Sequence, residues 1–221
     1  MKALIMIIPY LLDFVEIELF NNQTTDATAP ALMFAIYCNP TICRLTIAYN
    51  YMRNSFSRCL SRLMTLKPEK LNEINLMGSI VYTDHIEPLI RQLPRLKTLK
   101  LLNIAGCTMT HAMCRDLASF MQSCWTLGVL DVSHCRINYQ GSRYLIDALN
   151  RNTTIRNFNF SHNDLTSSTY EFSVKVASLI TRHPSLQHLD ISNTSLRREE
   201  VMFIGLSLPV SKTLLSVHLT A

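Results

Sequence analysis

The sequence predicts an α/β solenoid: one short parallel strand per repeat on one face, one helix per repeat on the other, with a period of about 28 residues. Three observations predict it. An apolar residue that opens a strand recurs at Phe14, Ile42, Leu71, Leu99, Leu127, Ile155, Leu186 and Leu214, at intervals of 28 residues apart from one of 29 and one of 31. A small polar residue recurs eight positions after each of the first seven starts. Further apolar residues follow at helical spacing. A fixed period of this length marks stacked supersecondary units, none of which can bury its apolar face alone.

The strand of each repeat is read from two inward columns. Three residues after the start stand Ile17, Leu45, Ile74, Leu102, Leu130, Phe158, Leu189 and Val217; five after stand Leu19, Ile47, Leu76, Ile104, Val132, Phe160, Ile191 and Leu219. Such alternation turns every second side chain to one face. The polar column that follows is Asn22, Asn50, Ser79, Cys107, Cys135, Asn163 and Thr194. Each can donate a hydrogen bond to a backbone carbonyl, so stacking should turn the column into a buried structural ladder. Cys107 and Cys135 are therefore expected as rungs, not as nucleophiles.

The second half of each repeat reads as a helix. Leu32, Leu60, Leu89, Leu117, Leu145 and Ile204 are followed four residues later by Ile36, Met64, Leu93, Met121, Leu149 and Leu208. That spacing puts each pair on one helical face, turned to the sheet. Pro40, Pro94 and Pro184 fall between a helix and the next strand, where proline ends a helix. Polar and basic residues such as Arg58, Arg62, Arg115, Asp116 and Arg143 are expected on the outer face. The repeat opening at Ile155 carries three extra residues around Leu165–Phe172 (LTSSTYEF). Shifting the frame by three restores Val176, Leu179 and Ile180 to the core, so the insertion should bulge at the strand-to-helix turn, a candidate contact site. Trp125, just before the central strand, is expected to pack between helix end and sheet, in preference to serving as a surface anchor.

The frame covers residues 1–221 as a single solenoid domain of about eight repeats, with an incomplete repeat at each end. Met1–Ile8 reads as a helix without its strand, and Leu214–Ala221 as a strand without its helix. Repeat arrays need polar capping units, and none is visible, which suggests a longer protein or partners that cover the ends. A signal peptide over Met1–Leu12 is disfavoured by Pro9, by Asp13 and by the lack of a small-residue cleavage site. No apolar stretch is long enough to span a membrane.

The chain is 48% hydrophobic and 17% charged, ample for a large core, and its five glycines and eight prolines argue against a disordered chain. The net charge of +5 is uneven: residues 51–110 hold nine Lys and Arg against four acids. A basic middle could suit an acidic partner, a phosphate-bearing surface or a microtubule, but a solvated helical outer face is the favoured reading. No dense basic run with interleaved aromatics marks a nucleic-acid site. Seven cysteines, without a CxxC pair, speak against a disulfide framework and for a reducing, intracellular setting. No Gly-rich phosphate loop, zinc-finger spacing or dinucleotide fingerprint is present, so neither a cofactor nor a small-molecule substrate is expected.

The stretches LKLLNIAGCTM, LGVLDVSHCRI, IRNFNFSHNDL and LQHLDISNTSL resemble the ribonuclease-inhibitor type of leucine-rich repeat, and the resemblance covers essentially the whole chain. It implies a horseshoe with parallel strands lining the concave face and helices the convex face. It is specific for fold and not for function. Relatives include inhibitors, GTPase activators of the Ran type, innate-immune sensors, tropomodulin-like actin regulators and axonemal subunits. The degenerate repeats are also similar to those of the leucine-rich subunit of the axonemal dynein regulatory complex. No functional residue of the GTPase activators falls on a position of this sequence.

In such a horseshoe the concave face carries the strand positions that point away from the core. Four residues after each start stand Glu18, Thr46, Asn75, Asn103, Asp131, Asn159, Asp190 and His218; seven after stand Asn21, Tyr49, Gly78, Gly106, His134, His162, Asn193 and Ala221. Adjacent strands lie ~4.8 Å apart, so neighbours in a column are side by side. The candidate protein-binding residues are Asn75, Asn103, Asp131, His134, Asn159, His162, His188 and Asp190. His134 and His162, with Asp131 close by and His188 one repeat on, offer metal-ligand chemistry without the tight spacing of a metal site. Ser133, His162 and Asp131 offer triad chemistry, but a flat strand surface provides no oxyanion hole. Neither a metal nor catalysis is expected. Asn22, Asn152, Asn159 and Asn193 stand in glycosylation sequons; a reducing compartment and a ladder role for Asn22 make modification unexpected.

These readings converge on a non-enzymatic scaffold. It would hold other proteins in a multi-subunit intracellular assembly, of a cytoskeletal or ciliary kind, with no nucleic-acid or membrane partner. The alternative is a regulator of an enzyme, a Ran-type GTPase activator or a protein inhibitor, acting through the concave face.

Overall fold

The computed structural model describes residues 2–22, 25–80, 82–166 and 169–220. Met1, Ala221 and the central serines of the Leu165–Phe172 insertion lie outside them. Strands and helices alternate along the chain: α1 (Lys2–Ile7), β1 (Glu16–Glu18), α2 (Ala29–Cys38), β2 (Arg44–Thr46), α3 (Asn54–Leu66), β3 (Glu73–Asn75), α4 (Thr83–Ile90) and β4 (Leu101–Asn103). There follow α5 (His111–Ser123), β5 (Val129–Asp131), α6 (Tyr139–Arg151), β6 (Asn157–Asn159), α7 (Glu171–Arg182), β7 (His188–Asp190), α8 (Arg198–Gly205) and β8 (Ser216–His218). The strands form one open parallel sheet in the order β1 to β8. Its register pairs Ile17, Leu45, Ile74, Leu102, Leu130, Phe158, Leu189 and Val217 in a single row. Each helix packs on its sequence neighbours.

The inward columns form one continuous core. Leu45, Leu102, Leu130 and Phe158 are buried in one row; Ile47, Ile104, Val132 and Phe160 are buried in the next. Each such side chain contributes about 1.5–3 kcal/mol. The rows lose cover at the β8 edge, where Leu214, Val217 and Leu219 are only half-buried. At the β1 edge Ile17 and Leu19 stay buried, while Phe14, which opens the repeat, is 55% exposed. The helical pairs are buried as expected, except that Leu208 is half-buried. Leu93 and Leu208 also lie outside their α-helices, in single 3-10 turns, Leu93–Arg95 and Leu208–Val210. Pro94 and Pro209 set those turns, as Pro9 does after α1, because proline cannot continue the α-helical hydrogen-bond pattern. Beyond the insertion, Val176, Leu179 and Ile180 are buried on α7.

The polar column forms hydrogen bonds across repeats through much of the sheet. Asn50 Nδ2 donates to Leu19 O at 2.6 Å, Ser79 Oγ to Ile47 O at 2.5 Å, Cys135 Sγ to Ile104 O at 3.2 Å and Asn163 Nδ2 to Val132 O at 2.8 Å. Asn163 Oδ1 in turn accepts from Cys135 N and Ile137 N at 3.1 and 3.0 Å. Burial pushes the Cys107 thiol up to about 12, against the opposing Ile80 N–H. The Cys135 thiol is raised as well, by burial first and then by its neighbour Cys107. Both are thiols, not thiolates, at neutral pH, as rungs should be. Three rungs depart from the expectation. Cys107 is buried, but its Sγ donates to no carbonyl among the described residues. Asn22 is exposed and, among the described residues, its side-chain amide donates to Phe20 O of its own repeat, because β1 is an edge strand with no carbonyl row beside it. Thr194 is buried but donates to Ile191 of its own repeat at 2.7 Å.

A second polar ladder stands at the opposite corner, where helix turns into strand. Three residues before a start, Asn39 Nδ2 donates to Ile8 O and Leu11 O at 2.8 and 2.9 Å, while its Oδ1 accepts from Thr41 N and Ile42 N, both at 2.8 Å. Asn152 repeats this arrangement, donating to Met121 O at 2.7 Å and accepting from Thr154 N and Ile155 N at 2.8 and 2.7 Å. His183 fills the same place with Nδ1, accepting from Ser185 N and Leu186 N at 3.3 and 2.9 Å. One residue before a start, Thr126, Thr154 and Ser185 donate hydroxyls to Leu99 O, Leu127 O and Ile155 O. The sequon at Asn152 is therefore a buried structural amide.

Candidate functional site

The concave face is built by the residues that end each strand. A parallel strand of three residues must leave the sheet at once, and its last residue sets how. Asn103, Asp131, Asn159 and Asp190 each turn Oδ1 back to the N–H two residues on, in Ala105, Ser133, Ser161 and Ser192, at 2.9–3.0 Å; Asn75 does so to Met77 N at 3.2 Å. These are Asx turns, in which a short polar side chain replaces a backbone partner. One side-chain oxygen thus holds the fold, and the second polar atom stays at the concave surface. At the centre it is already linked across strands, Asn159 Nδ2 donating to Asp131 Oδ2 at 3.3 Å.

Next comes a column with a different backbone. Asn21, Tyr49, Gly78, Gly106, His134, His162 and Asn193 all have φ between 50° and 79°, the left-handed conformation. Glycine adopts it freely and asparagine readily; tyrosine and histidine do so at a cost. The side chains occupy the column by turns. A Cβ on Gly78 would meet the Tyr49 ring at 2.8 Å, so the glycine makes room for the exposed tyrosine. Two repeats on, His134 and His162 stack with ring centroids 3.8 Å apart and planes 15° apart, and Asn193 Nδ2 lies 3.3 Å from His162 Nε2.

The structure divides the sequence-predicted residues into three groups. Asp131, Asn159, His188 and Asp190 line a shallow concave depression of about 310 Å³, with Ser216 and His218. His134 and His162 stack beside it at the turns, and Asn75 and Asn103 continue the Asx row toward β3. His188 belongs to the row that begins each strand, where it pairs in register with Asn157 and Ser216, and its Nδ1 lies 2.7 Å from Ser216 Oγ. Among the described residues no group of three or more His, Cys, Asp and Glu could hold a metal ion. Ser133 is buried, with its N–H on Asp131, so the Ser133, His162 and Asp131 combination makes no triad.

Trp125 corrects an expectation. It is 74% exposed and does not pack between helix and sheet. Its place, two residues before a repeat start, is an outward corner elsewhere too: Pro40, Glu69, Lys97, Thr153, Pro184 and Lys212 hold it in the other repeats, all exposed. That row of polar residues and prolines was the signal, and it outweighs the general preference of tryptophan for burial. The outer face of α2 was not legible from the repeat frame either: its ten residues, APALMFAIYC, contain no charged side chain.

No family model matches the chain. Among solved structures, internalin C2 from Listeria monocytogenes superposes with a TM-score of 0.56 at 17% identity, over 96% of this chain and 84% of that one. The C-terminal domain of tropomodulin from Caenorhabditis elegans gives 0.52 at 19% identity, over 62% of this chain and 83% of that one. The actin-binding site 2 of leiomodin-1, at 0.48 and 12% identity over 82% and 88%, is too distant to carry an argument. Likeness at these identities speaks for architecture: the chain folds as a leucine-rich-repeat solenoid, with strands on its concave face and helices on its convex face.

Proposed function

We propose that this chain is a non-enzymatic protein-binding scaffold whose concave face, from Asn75 to Asp190, receives a partner protein inside a larger intracellular assembly. One observation carries the reading. The Asx row presents a line of polar atoms fixed to the sheet by its own turns, so a partner meets donors and acceptors that lose little side-chain freedom on binding. The depression it helps to line is shallow, which suits a protein surface better than an enclosed small ligand. Among the described residues no helix is long and apolar enough to cross a membrane. A cytoskeletal or axonemal setting is the finer form of this proposal. It rests on the resemblance of the repeats.

Affinity purification with quantitative mass spectrometry tests it. The chain should recover one partner set at fixed stoichiometry. The double variant Asp131→Asn, Asp190→Asn keeps the turn-holding oxygens while removing both charges, and should release that set at least tenfold with the native circular dichroism spectrum retained. Unchanged recovery by the variant overturns the concave assignment. A change in GTP turnover by a small GTPase on adding the chain would move the reading to an enzyme regulator.

A further inference from the structure

The outer faces of α3, α5, α6 and α7 carry the polar side chains that solvent requires, among them Arg58, Arg115, Gln122, Arg143 and Arg182. The face of α2 does not. Its outward residues are Pro30, Ala31, Phe34, Tyr37 and Cys38, and Phe34 is 67% exposed. A helix that is apolar all round belongs under a cover. Beside it, α3 adds Leu66, 57% exposed. Between the two helices lies a groove of about 410 Å³, with Phe34 and Tyr37 on one wall, Leu66 on the other, and Met33 and Leu63 buried along it. Phe34 and Tyr37 are stacked at 6.4 Å, and Lys67 lies 4.2 Å over the Tyr37 ring while donating to Tyr37 O at 2.7 Å, which holds one end of the wall.

The charge around this groove has one sign. Neither α2 nor α3 contains an acid. Arg62 lines the groove, and Arg58 stands one turn earlier on the same face of α3. Both are exposed and neither has an ion-pair partner among the described residues. The carboxylate of Asp26, in the loop before α2, is taken up by the N–H groups of Arg53, Ser55 and Phe56. Apolar walls with a cationic rim fit an apolar segment flanked by carboxylates.

We propose that the α2–α3 groove on the convex face is a docking site for an acidic amphipathic segment of a partner protein, its apolar side chains against Phe34, Tyr37 and Leu66 and its Asp or Glu residues toward Arg58 and Arg62. The site is separate from the concave face and stands whether or not that face binds.

A random peptide display library selected on the 221-residue chain, with depletion on the Phe34→Asp variant, tests the proposal. Phe34 is exposed, so the variant should keep the wild-type circular dichroism melt. Enriched peptides should carry Leu, Phe or Trp beside Asp or Glu. The strongest, fluorescein-labelled, should lose at least tenfold in affinity on Arg62→Glu and on Phe34→Asp by anisotropy, and be unaffected by Asp131→Asn, Asp190→Asn. No enrichment over the depleted pool overturns the site, and neutral or basic enriched peptides overturn its occupant. A dimer in sedimentation velocity that Phe34→Asp dissociates also overturns it, in favour of a second copy of the chain.

Discussion

Asn163 and Asn22 stand at the same place in their repeats, eight residues after the start, and carry the same amide. At the centre of the sheet, Asn163 is buried and bridges two repeats, donating to Val132 O and Phe160 O and accepting from Cys135 N and Ile137 N. On the edge strand, Asn22 is exposed and its side chain reaches Phe20 O. The difference lies in the neighbours. Such a rung needs the carbonyls and amide groups of the repeat before it, and beside the first strand there is no such repeat. A repeat position therefore has no fixed energetic worth; its worth depends on the neighbouring repeat it can reach.

The largest effect should come from cutting the interior rung. Asn163→Ala leaves two N–H groups and three carbonyls without that partner in a dry site, at a cost of about 3 kcal/mol, visible as a lower urea midpoint at an unchanged slope. A cost under about 1 kcal/mol would mean water replaces the amide and the ladder is not what couples repeats 5 and 6.

Next in size is a cap lent by one repeat to another. Asp26 serves the N-terminus of α3, accepting from Arg53 N, Ser55 N and Phe56 N at 2.8–3.1 Å. Asp26→Ala should cost about 1–2 kcal/mol. Hydrogen exchange should then quicken first at the start of α3, not throughout the sheet; uniform quickening would sink the local reading.

The corner ladder supplies a pH test of the same comparison, since His183 stands where Asn39 and Asn152 stand in other repeats. Its Nδ1 must stay unprotonated to accept from Ser185 and Leu186, and burial pushes its pKa down against the opposing carbonyls of Leu149 and Asn152. A group with a depressed folded pKa contributes stability that is present above the unfolded value and is lost as pH falls through the folded one. Stability should therefore decline as pH drops below the ordinary histidine value of ~6.5. His183→Asn should remove that part of the decline in chemical melts between neutral and mildly acidic pH. Identical slopes in the two proteins would rule out His183 as the source.

The smallest effect closes the comparison. Asn22→Ala should change stability by less than about 0.5 kcal/mol, the ordinary range for exposed sites. A loss near that of Asn163→Ala would show that the edge strand is covered in solution.

Much of the architecture was legible because it depends on what each residue can do with near neighbours in the chain. Leu127, Leu130 and Val132 face inward by strand alternation alone, and Leu145 with Leu149 by helical spacing. The Asx residues from Asn75 to Asp190 were legible as a concave row. Their second task, holding each turn through Oδ1, was not, because it depends on where the backbone goes after the strand. The corner ladder was harder still. Its place is held by Asn39, Pro68, Leu96, Cys124, Asn152, His183 and Ser211, a column in which only Asn39 and Asn152 carry the same side chain, so no single residue type marks it. Trp125 was misjudged by residue type where its column would have placed it outside.

The sequence by itself determined the period, the alternation of strand and helix, and the residues that point to the core. All of these follow from backbone geometry acting over a few residues. Only the tertiary structure decided which polar side chains are buried and partnered, because a hydrogen bond between Asn163 and Val132 spans 31 residues and exists only when two repeats lie side by side. Packing likewise decided that Phe34 and Leu66 stay open to solvent between two neighbouring helices, since exposure is a property of what stands beside a residue and not of the residue.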